Sequence, residues 1–502
     1  MRAKRISPAK QPARPAAHDL LTGAAVAVLL AAPTVAAFYS GGYFDGPRLV
    51  LGIGSWVLVL VAAVAAARPL PRSRPAWAAL AGMALLTGLS AASISWAPLS
   101  SAAVDDTQRL LVYLGAFAAG IALLHPPQHA RVLEPALAGG TFIVIAYSLS
   151  ERLLPGLVEL DRGISAAGRL EQPLTYWNAM GALAAIGFVL CTRLSGDGDR
   201  AAWLRAAAGF IAPTLALGLF LSLSRGAIAA GAVGLAVLVL VAPSPLQLRA
   251  VVTSATLGLV VSAASLPLPA VRSLDAAAAS PELSGLIMLV ALLGAGAVGS
   301  YVARRPGSEG RDGHLGGVRL RTARIVAAAA IVVCLMGAVA VTVASSDERN
   351  IAAGPEAGSG PGRLRSVQSN RSSYWNVAVH SFADNPLGGV GSGGFRVEWL
   401  RERPFKEPAE DAHSIYLETA SELGLAGLLA LALLFGGVAE CARRCMTSRP
   451  GLAPGPVAGL SVWAAHAGLD WDWEMPAVSL LAVALAAGLV AAGDEVSPPP
   501  AD

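Results

Sequence analysis

About fourteen apolar stretches, each close to the length that crosses a lipid bilayer, run through this chain between residues 20 and 492. No other feature limits the fold as strongly. Inside lipid, the backbone must satisfy its own hydrogen bonds, so such stretches form helices. They lie at roughly 20–39, 48–67, 76–92, 108–124, 132–151, 177–193, 203–221, 225–242, 250–266, 284–303, 323–344, 414–439, 455–468 and 475–492. Only 14% of the 502 residues are charged, against about 25% in a soluble domain. The shortage is spread along the whole chain, which describes a body embedded in lipid and not a single anchor. The expected fold class is all-α: a polytopic membrane protein of about 12–14 transmembrane helices with one large outer-face loop containing short amphipathic helices.

Arginine placement orients this map. With the N-terminus inside, the even-numbered connections are cytoplasmic. They carry Arg68, Arg72 and Arg74; Arg193, Arg200 and Arg205; Arg304, Arg305, Arg311, Arg319, Arg321 and Arg324; and Arg443, Arg444 and Arg449. Short outer connections carry acids instead: Asp105 and Asp106, then Asp470, Asp472 and Glu474. The loop over 345–412 holds several arginines, but long loops are exempt from the rule. The expected division is a basic cytoplasmic tail (1–19), an N-terminal transmembrane bundle (20–344), a large extracytoplasmic loop (345–412), C-terminal transmembrane helices (413–492) and a cytoplasmic tail (493–502). The N-terminal basic stretch reads as a retained tail, because no small-residue cleavage site and soluble domain follow it.

Within the large loop, residues 371–383 carry Tyr374, Trp375, Val377, Ala378 and Phe382 at helical spacing. This predicts an amphipathic helix lying at the membrane surface. The segment 385–395 contains a formal G-x-G-x-x-G at Gly389, Gly391 and Gly394. No strand precedes it and no βαβ unit surrounds it, so it is not a dinucleotide site. Its glycines predict a tight bend or a close backbone approach to a ligand.

Arg225 sits between apolar residues on both sides. A charge at membrane depth is costly and points to function; the bland alternative is an arginine snorkelling to the headgroups. Arg169 and Arg371 lie on the same face, and each alone reads as an ordinary loop arginine. Together they offer planar, permanently charged groups that grip phosphate oxygens bidentately, which suits a lipid pyrophosphate. His413 is the side chain on this face best suited to take a proton near neutral pH; the alternative is a capping or structural histidine. Glu418 and Glu422, one helical turn apart, read as partners for the arginines. Asp470, Asp472 and Glu474 alternate with Trp471 and Trp473. That turn would bind a cation, stack on sugars, or serve as an interfacial anchor, and the anchor is favoured. Cys191, Cys334, Cys441 and Cys445 fall within helices or at their cytoplasmic ends, so neither disulfides nor a zinc site is expected. No metal, cofactor or nucleic-acid partner is expected.

These residues carry a resemblance. Arg371-x-x-x-Trp375, Asn385-Pro386, the glycine run ending at Phe395, His413-Ser-x-Tyr416-Leu417-Glu418 and Glu422-x-Gly424 resemble the O-antigen ligase / O-antigen polymerase superfamily. Leu-Ser-Leu-Ser-Arg225-Gly and Gly-Arg169-Leu through Tyr-Trp-Asn178-Ala are similar to its upstream elements. The similarity is strongest over about 365–435. It implies a GT-C-type glycosyltransferase in the cytoplasmic (inner) membrane of a bacterium, multi-pass, with its active face extracytoplasmic. Its implied partners are an undecaprenyl-pyrophosphate-linked glycan donor, an acceptor glycan and the lipid bilayer. By resemblance, Arg225, Arg371 and Arg169 contact the pyrophosphate and His413 lies near the acceptor. Tyr374, Trp375, Gly391, Glu418 and Asp470 complete the candidate binding set. Many members carry Asn after the histidine where this chain has Ser414, which leaves ligation and polymerisation both open. Two other classes compete. One is a transporter of a lipid-linked or small solute, for which repeated halves and broken helices are the usual signs and neither is apparent. The other is a non-catalytic partner in wall assembly.

Overall fold

Each apolar stretch that the structure describes becomes a helix. In this computed structural model the described residues are 16–161, 163, 166–274, 278–305, 321–326, 329 and 370–494. The helices are α1 (Ala16–Ala37), α2 (Asp45–Ala65), α3 (Arg74–Ser93), α4 (Ser100–Leu123), α5 (Pro127–Leu153), α6 (Trp177–Gly196), α7 (Ala202–Leu221), α8 (Arg225–Val241), α9 (Pro245–Ser265), α10 (Pro269–Ser273), α11 (Pro281–Arg304), α12 (Arg371–Asp384), α13 (Phe395–Glu402), α14 (Ile415–Ser448), α15 (Pro454–Ala467) and α16 (Pro476–Asp494). Among the described residues there is no strand. Among the described residues ten helices are long and apolar enough to span a membrane, and α8 is a shorter apolar helix of 17 residues. The expected spans at 108–124 and 455–468 are the charged-ended α4 and the 14-residue α15. The expected span at 323–344 lies, except for residues 323–326 and 329, outside the described residues, as do Cys334 and the loop up to residue 369.

α6 and α16 are enclosed on all sides, and the other helices pack around them. Lipid tails are as apolar as leucine, so helices in a membrane associate through close packing, which small residues permit. The α3–α14 contact shows this: a Cβ on Gly82 would stand 2.3 Å from the Leu434 nitrogen, and one on Gly437 2.4 Å from the Ala79 nitrogen.

The two ends of the bundle differ in chemistry. One end gathers the arginine-rich connections, where acids neutralise them: Arg200 pairs with Glu134 at 2.8 Å and Arg193 with Asp197 at 3.0 Å. The opposite end gathers the turns at 38–44, 154–161, 166–176, 222–224 and 468–475 together with residues 370–414. Asp105 and Asp106, expected on a connection, lie inside α4 instead. An apolar count starts that helix too late, because its first turns are polar and are stabilised by the buried Asp106–Arg109 pair, 2.7 Å apart.

α14 is broken at Gly424, whose φ of 61° and ψ of −154° leave the helical region. A broken helix was absent from the sequence reading because glycine alone does not disclose its φ. The break frees carbonyls before it and amides after it, and the glycine segment satisfies them. Val390 and Gly391 N–H donate to the Ser421 and Glu422 carbonyls at 3.0 and 2.8 Å; Leu425 and Ala426 N–H donate to Pro386 and Leu387 at 2.8 and 3.3 Å. Gly389, at φ 66°, lies so close that a Cβ would stand 2.2 Å from the Glu422 carbonyl carbon. Gly389→Ala is therefore expected to destabilise the protein by on the order of 3 kcal/mol, through left-handed strain plus overlap. Thermal unfolding in detergent checks this, and an unchanged melting temperature would refute it.

The helix expected at the membrane surface is α12, but its apolar face is spent on the protein. Tyr374, Val377 and Ala378 pack with Phe395 and Trp399 of α13 and with Ala412 into a small separate core. The periodicity located an apolar face and carried no information on what covers it.

Candidate active site

Asp470 organises the site. It lies in the turn between α15 and α16 and is fully buried. Its carboxylate accepts from Tyr176 Oη at 2.7 Å, from His413 Nδ1 at 3.1 Å, from the Trp471 amide at 2.9 Å and from an Arg371 guanidinium nitrogen. Burial alone would push this carboxyl up, but the Arg371 charge and the His413 contact outweigh it and hold it well below the usual carboxylate range. Arg371 opens α12 with its side chain 27% exposed, so one side faces Asp470 and the rest reaches outward.

His413 comes two residues before α14 and not at its first turn. Its φ of 54° puts a non-glycine residue in the left-handed region, a strain that persists where the surroundings over-determine it. Three contacts do so. Glu418 reaches back from the first turn of α14 to accept the Ala412 N–H at 2.8 Å. Tyr374 stacks on the imidazole, 5.0 Å between centroids and 12° from parallel. Asp470 takes Nδ1. With Nδ1–H donating to Asp470, Nε2 is left as a proton acceptor.

The other candidates fall at the same end. Arg169 is buried, donates Nε–H to the Ala166 carbonyl at 2.7 Å, and lies 3.5 Å over the Trp177 ring. The next residue, Leu170, donates its N–H to the Leu221 carbonyl at 3.0 Å, which brings the Arg169 turn against the turn leading into Arg225. Arg225 is the first residue of α8, behind Ser224, whose hydroxyl accepts the Ala227 N–H at 3.2 Å. Trp375 sits half-buried beside the α12–α13 core. Gly391 approaches the protein itself: a Cβ there would stand 2.6 Å from the Ala97 Cα. Glu418 likewise serves the geometry around His413.

The turn expected to be an interfacial anchor is interior. Asp470, Asp472 and Glu474 are 0%, 1% and 6% exposed. Each acid has a partner: Arg371 and His413 for Asp470, the His466 imidazole for Asp472 at 3.0 Å, and Arg109 for Glu474 at 2.8 Å. Trp471 stacks on Tyr176 at 4.5 Å.

A second cluster lies beside the first. Asp411, Glu418 and Glu474 bring carboxylate oxygens within 4.8 Å of one another. Asp106 joins through Arg109, and its other oxygen accepts from Ser392 Oγ at 2.9 Å. Carboxylates this close share a proton or hold a cation. Burial, then the Glu474 charge, pushes Asp411 well above the usual carboxylate range. Such a group contributes stability that is complete below the ordinary carboxylate value, about 4, and that is lost as pH rises through the folded value. The protein is expected to melt lower at about pH 9 than at about pH 5, and Asp411→Asn to flatten that slope. A slope unchanged by the substitution would refute the shared proton.

Sequence reading missed Arg109, Asp411 and Tyr176 as a donor to Asp470; it placed His466 near this face but gave it no role. Arg109 carried the same signal as Arg225, a charge within an apolar run.

Residues 273–432 match the family model described as O-antigen ligase. Over that stretch, about a third of the chain, the sequence is similar to the O-antigen ligase family. The match takes in Arg371, Tyr374, Trp375, Gly391, His413 and Glu418, while Arg169, Arg225 and Asp470 lie outside it. Comparison with curated proteins finds no match. The match to the O-antigen ligase model joins this multi-pass helical architecture to glycan transfer in general.

Proposed function

We propose that this protein transfers glycan from an undecaprenyl-pyrophosphate carrier to a sugar hydroxyl of an acceptor glycan, on the outer face of a bacterial cytoplasmic membrane. The observation that carries the reading is the convergence of Arg371 and His413 on one buried carboxylate, Asp470, at the bundle end opposite the arginine-rich connections. Those connections lie on the cytoplasmic side by the positive-inside rule. In this reading residues 345–412 form the extracytoplasmic loop, with membrane helices on either side of it.

The acceptor hydroxyl oxygen bonds to C1 of the donor sugar as the bond from C1 to the phosphate oxygen breaks. The electron pair leaves with the diphosphate, and the hydroxyl proton passes to Nε2 of His413. Asp470 fixes the imidazole tautomer and stabilises the imidazolium that forms. Arg371 and Arg225 stabilise the charge growing on the leaving diphosphate, with Arg169 third. Tyr374 holds the imidazole plane, and Trp375 offers an aromatic edge to the sugars.

The test is complementation of a deletion strain with Arg225→Ala. The expected outcome is loss of surface polysaccharide and accumulation of its carrier-linked precursor, at normal protein level. Normal surface polymer would remove Arg225 from the machinery. Normal polymer with both Arg225→Ala and Arg371→Ala would move the reading to a transporter or an assembly partner.

A further inference from the structure

His466 takes no part in the chemistry above, yet it is one of the most enclosed titratable groups at this end. It is 1% exposed, in the last turn of α15. Its Nδ1 lies 3.0 Å from Asp472, itself 1% exposed. Its other nitrogen, Nε2, is buried and has no hydrogen-bond partner among the described residues. A buried polar atom without a partner costs on the order of 1–3 kcal/mol, and such atoms persist where a ligand completes them.

The direction of Nε2 says which ligand. A Cβ built on Gly226 would stand 3.5 Å from Nε2, so the nitrogen faces the first turn of α8, beside Arg225. The opening amides of a helix have no acceptor within it, and the Ser224 hydroxyl takes the one from Ala227. The groups collected at this point are thus a helix N-terminus, the leading arginine and an imidazole nitrogen. All suit an anion with several oxygens. The charges facing His466 are Asp472, Asp470 and Arg371, which places it between the Asp470 cluster and the start of α8.

Resting on the proposed function, we propose that His466, held by Asp472, is a further diphosphate-binding residue, donating from Nε2 to a phosphate oxygen seated at the N-terminus of α8. Paired with Asp472 as an imidazolium, it donates from both nitrogens. It supports the departing diphosphate from the side of Arg225, while His413 serves the acceptor from the side of Arg371. The two histidines divide the reaction between them, each tied through Nδ1 to its own aspartate.

The alternative is that His466 only ties α15 to the following turn, and two substitutions separate these roles. Asparagine reproduces the Nδ1 donor to Asp472 and leaves nothing at the Nε2 position. Glutamine places its amide nearer the Nε2 position. Binding of inorganic pyrophosphate to the purified full-length protein is measured alongside transfer from the lipid-linked donor. His466→Asn is expected to weaken pyrophosphate binding about tenfold or more and to raise the donor KM, while His466→Gln stays within about threefold of the parent. Gly226→Leu, which crowds Nε2 without touching the Asp472 bond, is expected to weaken pyrophosphate binding about tenfold as well. It supplies the readout if His466→Asn fails to accumulate. Binding by His466→Asn or Gly226→Leu equal to the parent, in a protein that transfers glycan, overturns the role of His466 alone. A parent protein that neither binds pyrophosphate nor transfers glycan overturns the proposed function and this inference with it.

Discussion

Alanine in place of His413 is expected to lower glycan transfer by about a hundred- to ten-thousand-fold, with the protein still present in the membrane at its normal level. The size follows from what a positioned general base contributes. The imidazole is held on three sides, by Asp470 at Nδ1, by Tyr374 across its face and by the Glu418–Ala412 hydrogen bond beneath its backbone. No other described imidazole shares that carboxylate. His413→Asn is the sharper form of the test. Asparagine tolerates the left-handed backbone at this position, so the folded state keeps its geometry while the base is lost. A steady-state assay with lipid-linked donor and acceptor reads the effect, and thermal unfolding reads the control. Activity of His413→Asn within about threefold of the parent would contradict general-base catalysis here.

Asp470→Asn carries the second large effect. The aspartate accepts from four donors, and its amide replacement turns an NH2 group towards at least one of them. Arg371 loses its buried counter-charge, and removing one partner of a buried ion pair costs about 3–5 kcal/mol. Transfer is expected to fall about a hundredfold or more, as the imidazole loses its fixed tautomer and the guanidinium its anchor. Tyr176→Phe removes one neutral donor from the same carboxylate, for about 1 kcal/mol of stability, and is expected to leave most of the transfer intact. If Tyr176→Phe and Asp470→Asn prove equally mild, Asp470 is a packing residue and not an organiser.

Much of the architecture was legible because membrane physics writes it in plain form. A run of apolar residues has to be a helix, and the arginine asymmetry sorted the connections onto the two ends seen in the fold. His413, Arg371 and Asp470 were each visible as single residues of the right chemistry. Their union was not, because His413 lies 57 positions and Arg371 99 positions from the carboxylate they share. Only packing brings such groups together. The acidic turn misled for a related reason: alternating acid and tryptophan has the composition of an interfacial belt, and burial depends on cations elsewhere in the chain, Arg109, Arg371 and His466. Gly424 was named as a motif residue, but the break in α14 rests on a backbone angle and on the segment 386–391 that repairs it. The glycine run was read as a tight bend or a close approach to a ligand, and Gly391 makes a close approach to Ala97 and the broken helix.

The most direct measurement uses purified protein, an undecaprenyl-pyrophosphate-linked glycan and an acceptor oligosaccharide. It follows glycan appearing on the acceptor together with the carrier released. Equal amounts of both are expected, with both lowered about a hundredfold or more in His413→Ala. Carrier-linked glycan left intact by the active, folded parent protein, or product formed equally well by His413→Ala, would contradict glycan transfer at this site.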